Sequence, residues 1–226
     1  MRNSLQQFWD DIWTSDPEDL ASMHGYDLLA KFDLHTLEGK NVLDVGCGNM
    51  VHSYIERRCA SLVGVDISAA ALTQARAIGT NAALIQSSAT ALPFADNSFD
   101  AVIAFETLPL LSESYIGAIR EMTRVSKNYV IFNILHPESR TAQSMPYRDS
   151  KFGRIFHTPQ IDLAAIDEKH LITLADVLHL HIEETQVLTR GQVRNFSLPP
   201  WDHMLQEYDD WKAEWYVKAS KKIVLN

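Results

Sequence analysis

The feature that most constrains this chain is an alternation of short apolar runs with helical segments from residue 41 onward. The apolar runs are NVLDV, SLVGVDI, NAALIQ, FDAVIAF and NYVIFNIL. Between the second and third runs, Ser68 is a good helix N-cap and Gly79 stands where a C-cap glycine would end the helix. A second helix carries apolar residues at helical spacing before the fifth run. Strands that alternate with helices predict an α/β fold with a mostly parallel sheet.

The regions outside these five runs have a weaker pattern. Phe8, Trp9 and Trp13 in LQQFWDDIWTS have spacings that place them on one face of an N-terminal helix. After Pro137 we expect an irregular stretch over 138–160, then a helix, Glu168 to Leu178. A strand HIEETQVL, an irregular stretch over 190–210 and a final strand EWYVKASKKI are expected to follow.

Composition restricts the classes of protein to which this chain can belong. Its 226 residues are 46% hydrophobic, which is enough for one domain with a real core. The net charge of −9 makes nucleic acid an unlikely partner, since Lys and Arg supply most of the affinity for phosphate backbones. The two cysteines form no disulfide framework, and the nine histidines show no metal-ligand spacing. With no signal sequence and no membrane span, we expect a cytoplasmic protein without a metal or a membrane contact.

The turn after the first run points to a nucleoside site. Gly46 and Gly48 would let the backbone approach a ligand at the start of the following helix. Asp66 ends the second run, 20 residues after Gly46, the distance at which an acid binds ribose hydroxyls in dinucleotide folds. The G-x-G-x-x-G fingerprint of NAD enzymes fails because Val51 replaces its third glycine. Asp44 would also repel a pyrophosphate, whereas it would attract an ammonium or sulfonium group.

The motifs LDVGCGNM, VGVDIS and SSATALPFADNSFDAVIAF, in this order, resemble those of class I S-adenosylmethionine (SAM)-dependent methyltransferases of the type 11 variety. The resemblance covers roughly residues 41–136. It implies a Rossmann-like, seven-stranded, mostly parallel sheet whose last strand is antiparallel, which agrees with the predicted C-terminal hairpin. It also implies one domain over 1–226, with an N-terminal helical cover (1–40), a cofactor-binding half (41–136) and a substrate-side half (137–226).

The resemblance assigns a cofactor role to individual residues. Gly46, Cys47 and Gly48 would lie against the methionyl part of SAM, with Asp44 beneath its amino group and Phe105 nearby. Asp66 would bind the ribose hydroxyls and Ile67 would pack on adenine. Where the family often has an acid near the adenine amino group, this chain has Ser88 followed by Ala89. Met50 replaces the third glycine of the first motif, and we expect it to alter packing more than binding.

Two residues are candidates for acid-base chemistry. Glu106 and His136 follow the fourth and fifth strands, so either could accept a proton from a substrate hydroxyl or amine. The alternative interpretations are that Glu106 caps the next helix and that His136 is a loop residue before Pro137. Cys47 is expected to be a small buried residue and not a nucleophile, since nothing nearby would lower its pKa.

Aromatic and basic side chains outside the cofactor half are candidates for contact with the substrate. All five tryptophans lie outside 41–136. Either they pack covering elements onto the sheet, or some of them, with Phe8 and Tyr208, line a pocket for an apolar or planar substrate. Arg148, Lys151 and Arg154 either form a solvated surface cluster or pair with an anionic substrate.

The predicted function is transfer of the SAM methyl group to O, N or C of a small molecule, which leaves S-adenosylhomocysteine (SAH). The acceptor is anionic if the basic side chains reach it and aromatic if the tryptophans do. The alternatives are a SAM-binding regulatory or interaction protein without catalysis and, less favoured, an NAD(P)-dependent oxidoreductase. The sequence leaves the acceptor and the oligomeric state open.

Overall fold

The structure, a computed structural model, describes most of the sheet and the helices that cover it. The described residues are 5–15, 34–49, 53–137, 146–151, 153–157, 162–189 and 212–222. Their strands are β1 (Asn41–Val45), β2 (Ser61–Asp66), β3 (Ala83–Gln86), β4 (Phe99–Ala104), β5 (Ser126–Leu135), β6 (Tyr147–Ser150), β7 (Gly153–His157), β8 (Asp162–Ala165), β9 (Leu180–Thr189) and β10 (Lys212–Lys221). Their helices are α1 (Leu5–Ser15), α2 (Ser53–Glu56), α3 (Ala69–Ile78), α4 (Tyr115–Val125) and α5 (Glu168–Val177), with 3-10 segments at Leu34–Leu37 and Leu108–Ser114.

Seven of the strands form the predicted sheet, in the order β3-β2-β1-β4-β5-β10-β9. Strands β1 to β5 pair in parallel, and β10 enters antiparallel between β5 and β9. The central strand β1 is buried at four of its five positions, as expected for a parallel strand covered on both faces. The prediction of a mostly parallel sheet with an antiparallel last strand is confirmed.

The strand count is higher than predicted, because β6, β7 and β8 form an additional antiparallel unit. This unit meets the main sheet where Leu135 of β5 pairs with Ala165 of β8. The prediction that 138–160 is irregular is therefore wrong for β6 and β7. All four residues of β6 are exposed or only partly buried, so this strand lacks the alternation of apolar and polar residues that identifies strands in a sequence. The stretch 190–210 lies outside the described residues.

Helices cover both faces of the sheet, and their ends agree with the sequence. The Ser68 side chain caps α3 by accepting a hydrogen bond from the Ala71 N–H, and Gly79 ends the helix at φ +93°. On one face α4 and α5 bury Ile119, Met122, Leu171 and Leu174, among others, in the larger core cluster. On the other face α2, α3 and the segment Leu34–Leu37 pack on the second core cluster. No helix in the described ranges is both long and apolar enough to cross a membrane.

Candidate active site

The glycine turn after β1 is tied to the end of the neighbouring strand. The backbone N–H groups of Gly46 and Cys47 donate to the Val65 carbonyl, at 2.8 and 3.0 Å. Gly46 and Gly48 both have left-handed backbone, with φ +74° and +57°. Glycine adopts this conformation without the steric penalty of other residues, so the turn depends on both.

The space beside each of these glycines holds a protein side chain. A β-carbon on Gly46 would lie 2.8 Å from the Cβ of Thr107, closer than side-chain atoms approach one another. A β-carbon on Gly48 would lie 3.0 Å from the ring of Trp13 in α1. Both glycines were expected to let a ligand approach the backbone, and in the structure both also allow close packing of protein side chains. Met50 and Val51 lie outside the described residues.

Asp66 at the end of β2 is joined to the glycine turn. Its carboxylate accepts hydrogen bonds from the Gly48 N–H at 2.9 Å and the Ser68 N–H at 2.8 Å. Burial raises the pKa of Asp66 while these backbone donors oppose the rise. The proximity of the acid and the glycine turn, expected from their spacing, is present in the structure.

Asp44 lies in β1 at the base of the same turn and is buried, with 1% of its surface exposed. Burial, and secondarily the charge of Asp66, raises the pKa of Asp44 to about 8. A cation placed beside this carboxyl group would favour its ionised form. The base of the turn is therefore electrostatically suited to a positive ligand group and unsuited to a phosphate.

Cys47, between the two glycines, is a buried thiol, as expected. Its Sγ is in the region that a β-carbon on Gly64 would enter, so it fills the contact between β1 and β2. Burial raises the pKa of Cys47, and the nearby Asp44 and Asp66 add to the rise. A thiol that stays protonated is a poor nucleophile, which leaves Cys47 a packing role.

The residues expected near adenine follow β2 and β3. Ile67 is half-buried, and its carbonyl accepts a hydrogen bond from the Gln86 side chain at 3.0 Å. The Ser88 hydroxyl bonds to Thr90 within its own turn, at 2.9 Å between the two oxygens. Ala89 packs against the larger core cluster. Contact of these residues with adenine stays a prediction.

Phe105 and Thr107, which follow β4, are held by the core and by the glycine turn. Phe105 is buried in the second core cluster, which also contains Cys47. The Thr107 hydroxyl bonds to the carbonyls of Val45 and Gly46, at 3.1 and 3.3 Å. The segment between β4 and the 3-10 turn is therefore attached directly to the glycine turn.

Glu106 stands in this segment and is paired with a residue of the next strand. Its N–H donates to the side-chain oxygen of Asn133 at 2.8 Å, and the Asn133 amide nitrogen donates to its carboxylate. The carboxylate is thus directed to β5, contrary to the interpretation of Glu106 as a helix cap. Asn133 was missed in the sequence because it lies in the apolar run NYVIFNIL, where the spacing gives no sign of a contact 27 residues away.

His136 follows β5 but belongs to a different set of contacts. Its ring packs against Trp215 of β10, with the centroids 5.2 Å apart, and only 5% of the residue is exposed. The Trp215 indole donates to the Ile166 carbonyl at 2.8 Å. His136 is therefore a loop residue before Pro137, as its alternative interpretation has it, but it is buried against Trp215. Trp201, Tyr208 and Trp211 lie outside the described residues.

The basic side chains of β6 and β7 have acidic or aromatic neighbours. Arg148 forms an ion pair with Glu113, and the Arg154 guanidinium lies over the Tyr147 ring, 4.7 Å from its centroid. Arg154 also stands 3.8 Å from Asp149. The ion pair between Arg148 and Glu113 links this unit to the 3-10 segment that follows Glu106.

Helix α1 covers the glycine turn from outside the sheet. Asp10 accepts hydrogen bonds from the Ser68 hydroxyl at 2.6 Å and the Ala70 N–H at 3.2 Å, at the N-terminus of α3. The Gln74 side chain donates to the Trp13 carbonyl and accepts from Asn49 at 3.0 Å. The sequence had indicated a helix here, but not these polar contacts.

Comparison with known proteins relates the central part of the chain to one family. Residues 43–133 match a family model described as a methyltransferase domain. These residues are similar to that domain. The matched segment runs from β1 to Asn133, so the glycine turn, Asp66, Glu106 and Asn133 all lie within it. Among proteins with curated functions, none matches this sequence significantly.

Solved structures with the same architecture are SAM-dependent methyltransferases and related proteins of low sequence identity. A SAM-dependent methyltransferase from Methanosarcina mazei is 18% identical with a TM-score of 0.63, over 83% of this chain and 94% of that one. The methyltransferase bound to the Trm112 activator of Haloferax volcanii is 17% identical with a TM-score of 0.69, over 99% and 100%. The 1,6-didemethyltoxoflavin-N1-methyltransferase of Burkholderia thailandensis, solved with SAH, is 14% identical with a TM-score of 0.62, over 96% and 84%. The described part of the chain therefore has the Rossmann-like class I methyltransferase fold.

Proposed function

We propose that this protein binds SAM and transfers its methyl group to an oxygen, nitrogen or carbon atom of a small molecule. The observation that carries the proposal is the hydrogen bond between Gly48 and Asp66, which unites the glycine turn and the acid of β2 at one edge of the sheet. Ligands of open α/β sheets bind at this edge, outside the carboxyl ends of the strands. The similarity of residues 43–133 to a methyltransferase domain supports the same function.

The residues at the edge fit the chemistry of SAM. The buried Asp44 favours the positive amino and sulfonium groups, and Asp66 supplies acceptors for ribose hydroxyls. The proposed contact residues, in chain order, are Asp44, Gly46, Cys47, Gly48, Asp66, Ile67, Ser88, Ala89 and Phe105. SAM supplies an electrophilic methyl group, so the protein has to bind, orient and dehydrate the reactants.

Orientation of the reactants is one contribution that such a site makes. Holding two reactants in a reactive geometry lowers a barrier by roughly 7–11 kcal/mol. The turn at Gly46 is anchored to β2 and to Thr107, which gives it a fixed position relative to Glu106. Glu106 and His136 are the proposed groups for accepting a proton from a hydroxyl or amine acceptor.

Binding separates this proposal from a nucleotide-dependent oxidoreductase. Calorimetry with SAM, SAH, NAD and NADP should give binding of the first two ligands and none of the last two. Binding of NAD without binding of SAM would contradict the proposal. Enzyme and non-catalytic binder are separated by incubating SAM with a panel of small phenols, amines and carboxylic acids and measuring SAH release. A protein that binds SAM and releases no SAH with any class of acceptor would be the regulatory alternative.

A further inference from the structure

The side chain of Asn133 contacts both the backbone and the side chain of Glu106. Asn133 is fully buried in β5, directly opposite Tyr216 of β10 in the antiparallel register. Its oxygen accepts from the Glu106 N–H at 2.8 Å and its nitrogen donates to Glu106 Oε1. One amide therefore fixes two separate groups of a single residue.

The orientation of the Asn133 amide follows from its partners. A backbone N–H can only donate, so the amide oxygen has to face it and the NH₂ group has to face the carboxylate. An N–H donor is best matched by an ionised carboxylate, which is an acceptor at both oxygens. Asn133 thus selects the form of Glu106 that can take up a proton.

The backbone of Glu106 has a positive φ angle, which is uncommon for a residue other than glycine. Its φ is +57°, a left-handed conformation that costs a non-glycine residue on the order of 1–3 kcal/mol. The conformation is held from both sides, by Asn133 at Glu106 itself and by Thr107 at the glycine turn. Such strained positions concentrate at active sites, where the surrounding structure enforces them.

Resting on the proposed function, we propose that Asn133 is a positioning residue that holds Glu106 as the proton acceptor for an acceptor molecule with an O–H or N–H group. As the oxygen or nitrogen of the acceptor forms its bond to the methyl carbon, the carbon–sulfur bond breaks and its electron pair returns to sulfur. The proton leaves the oxygen or nitrogen for the Glu106 carboxylate. The products are the methylated molecule, SAH and a protonated Glu106, which releases the proton to solvent.

The first test measures the titration of Glu106 directly by carboxyl ¹³C NMR. Asn133→Asp keeps the size of the side chain but replaces the donor with a second acid, so the midpoint of Glu106 should rise by at least about one pH unit. Asn133→Ala, which removes the donor without adding charge, should raise it less. Asn97→Asp is the matched control, because Asn97 lies in the turn before the opposite end of β4. An unchanged midpoint in a folded Asn133→Asp variant would overturn the inference.

The second test measures how SAH release depends on pH, with the phenols and amines of the panel described above as methyl acceptors. In Asn133→Asp the acidic limb of the pH profile should move to higher pH. In Glu106→Gln turnover should fall at least 100-fold, while the affinity for SAM stays within twofold of the wild type. Among the described residues, Asp44, Cys47, Asp66, His136 and Tyr216 are the other titratable groups near Glu106, so the profile is repeated in His136→Gln to determine which of the two proposed proton acceptors sets the acidic limb. A limb that moves with His136 and not with Asn133 would refute the role of Glu106.

The two tests separate this inference from the proposed function. Calorimetric binding of SAM together with an unmoved Glu106 midpoint would reject the inference alone. Failure of the wild-type protein to bind SAM would reject the proposed function, independently of the titration of Glu106.

Discussion

The Thr107 side chain occupies the position that a side chain on Gly46 would need, with its Cβ 2.8 Å from where that β-carbon would lie. Thr107 follows β4 and Gly46 follows β1, and these strands are neighbours in the parallel sheet. The Thr107 hydroxyl also bonds to the Gly46 carbonyl. The glycine turn is therefore shaped by a contact within the protein before any ligand is considered.

Gly46→Ala should be strongly destabilising. A left-handed backbone costs alanine roughly 1–2 kcal/mol, and forcing a methyl group into a filled space adds roughly 1–3 kcal/mol. The free energy of unfolding, measured in urea, should fall by the sum of the two effects. Gly39→Ala is the matched control, since Gly39 has φ +65° and no atom within 4 Å of an added β-carbon.

The two glycine variants separate backbone strain from overlap. Gly39→Ala should lose only the backbone part, and the double variant Gly46→Ala/Thr107→Gly should recover part of the stability lost in Gly46→Ala. Equal losses in Gly39→Ala and Gly46→Ala would show that the contact with Thr107 carries no energy.

Asp66→Ala should weaken SAM binding by about 1.5–3 kcal/mol, the usual loss for hydrogen bonds to a charged acceptor. The variant also leaves the N–H groups of Gly48 and Ser68 without their acceptor. Calorimetry measures the affinity and circular dichroism verifies the fold. Asp96→Ala, which removes an exposed partner of Arg124, should bind SAM like the wild type. Unchanged affinity in a folded Asp66→Ala variant would remove Asp66 from the site.

SAM affinity should rise with pH up to about 8 and then level off. The pKa of Asp44 is raised to about 8 by burial, so at pH 7 the ligand-free carboxyl group holds a proton. A bound cation favours the carboxylate, so binding releases this proton and is aided by higher pH. Calorimetry in buffers of different ionisation enthalpy counts the protons. In Asp44→Asn only the ligand and the remaining protein groups titrate. The number of protons released by the wild type minus the number released by this variant is therefore the contribution of Asp44.

The same shift predicts the stability of the ligand-free protein. Between the ordinary pKa of an aspartate, 3.8, and about 8, the folded state holds a proton on Asp44 that the unfolded state has lost. The contribution of Asp44 to stability therefore falls as pH rises through this window. Urea denaturation should show that Asp44→Asn becomes more stable relative to wild type from pH 5 to pH 8. A difference that does not depend on pH would contradict the raised pKa.

Trp13 should report on occupation of the crevice. Its ring lies 3.0 Å from the β-carbon position of Gly48, in the turn proposed to contact the methionyl part of SAM. Addition of SAM should therefore change tryptophan fluorescence, and Trp13→Phe should remove most of the change. Trp215→Phe is the comparison, because Trp215 is buried against His136. A full signal in Trp13→Phe would show that α1 is not affected by the ligand.

The part of the site that follows from strand order could be predicted from the sequence. Parallel strands end at one edge, so Gly48 and Asp66 were expected together, and the backbone hydrogen bond between them was found. Asn133 and Thr107 could not be predicted, because their contacts depend on the position of side chains from different strands. The strands β6 and β7 were missed because their pairing is local to an antiparallel unit with mostly exposed residues at its edge.

The insertion of β10 between β5 and β9 makes this side of the sheet depend on contacts between residues far apart in the sequence. In the described part of the chain β9 joins the sheet through β10, and β10 meets β5 with Tyr216 opposite Asn133, 83 residues apart. Contacts between such distant residues form late, because a long loop has to close first. A newly synthesised chain can therefore form the contact between the glycine turn and Asp66 before β10 pairs with β5 at Asn133. The hydrogen bond between Gly48 and Asp66 joins residues only 18 positions apart, so it needs a much shorter loop to close than the pairing of Asn133 with Tyr216 does.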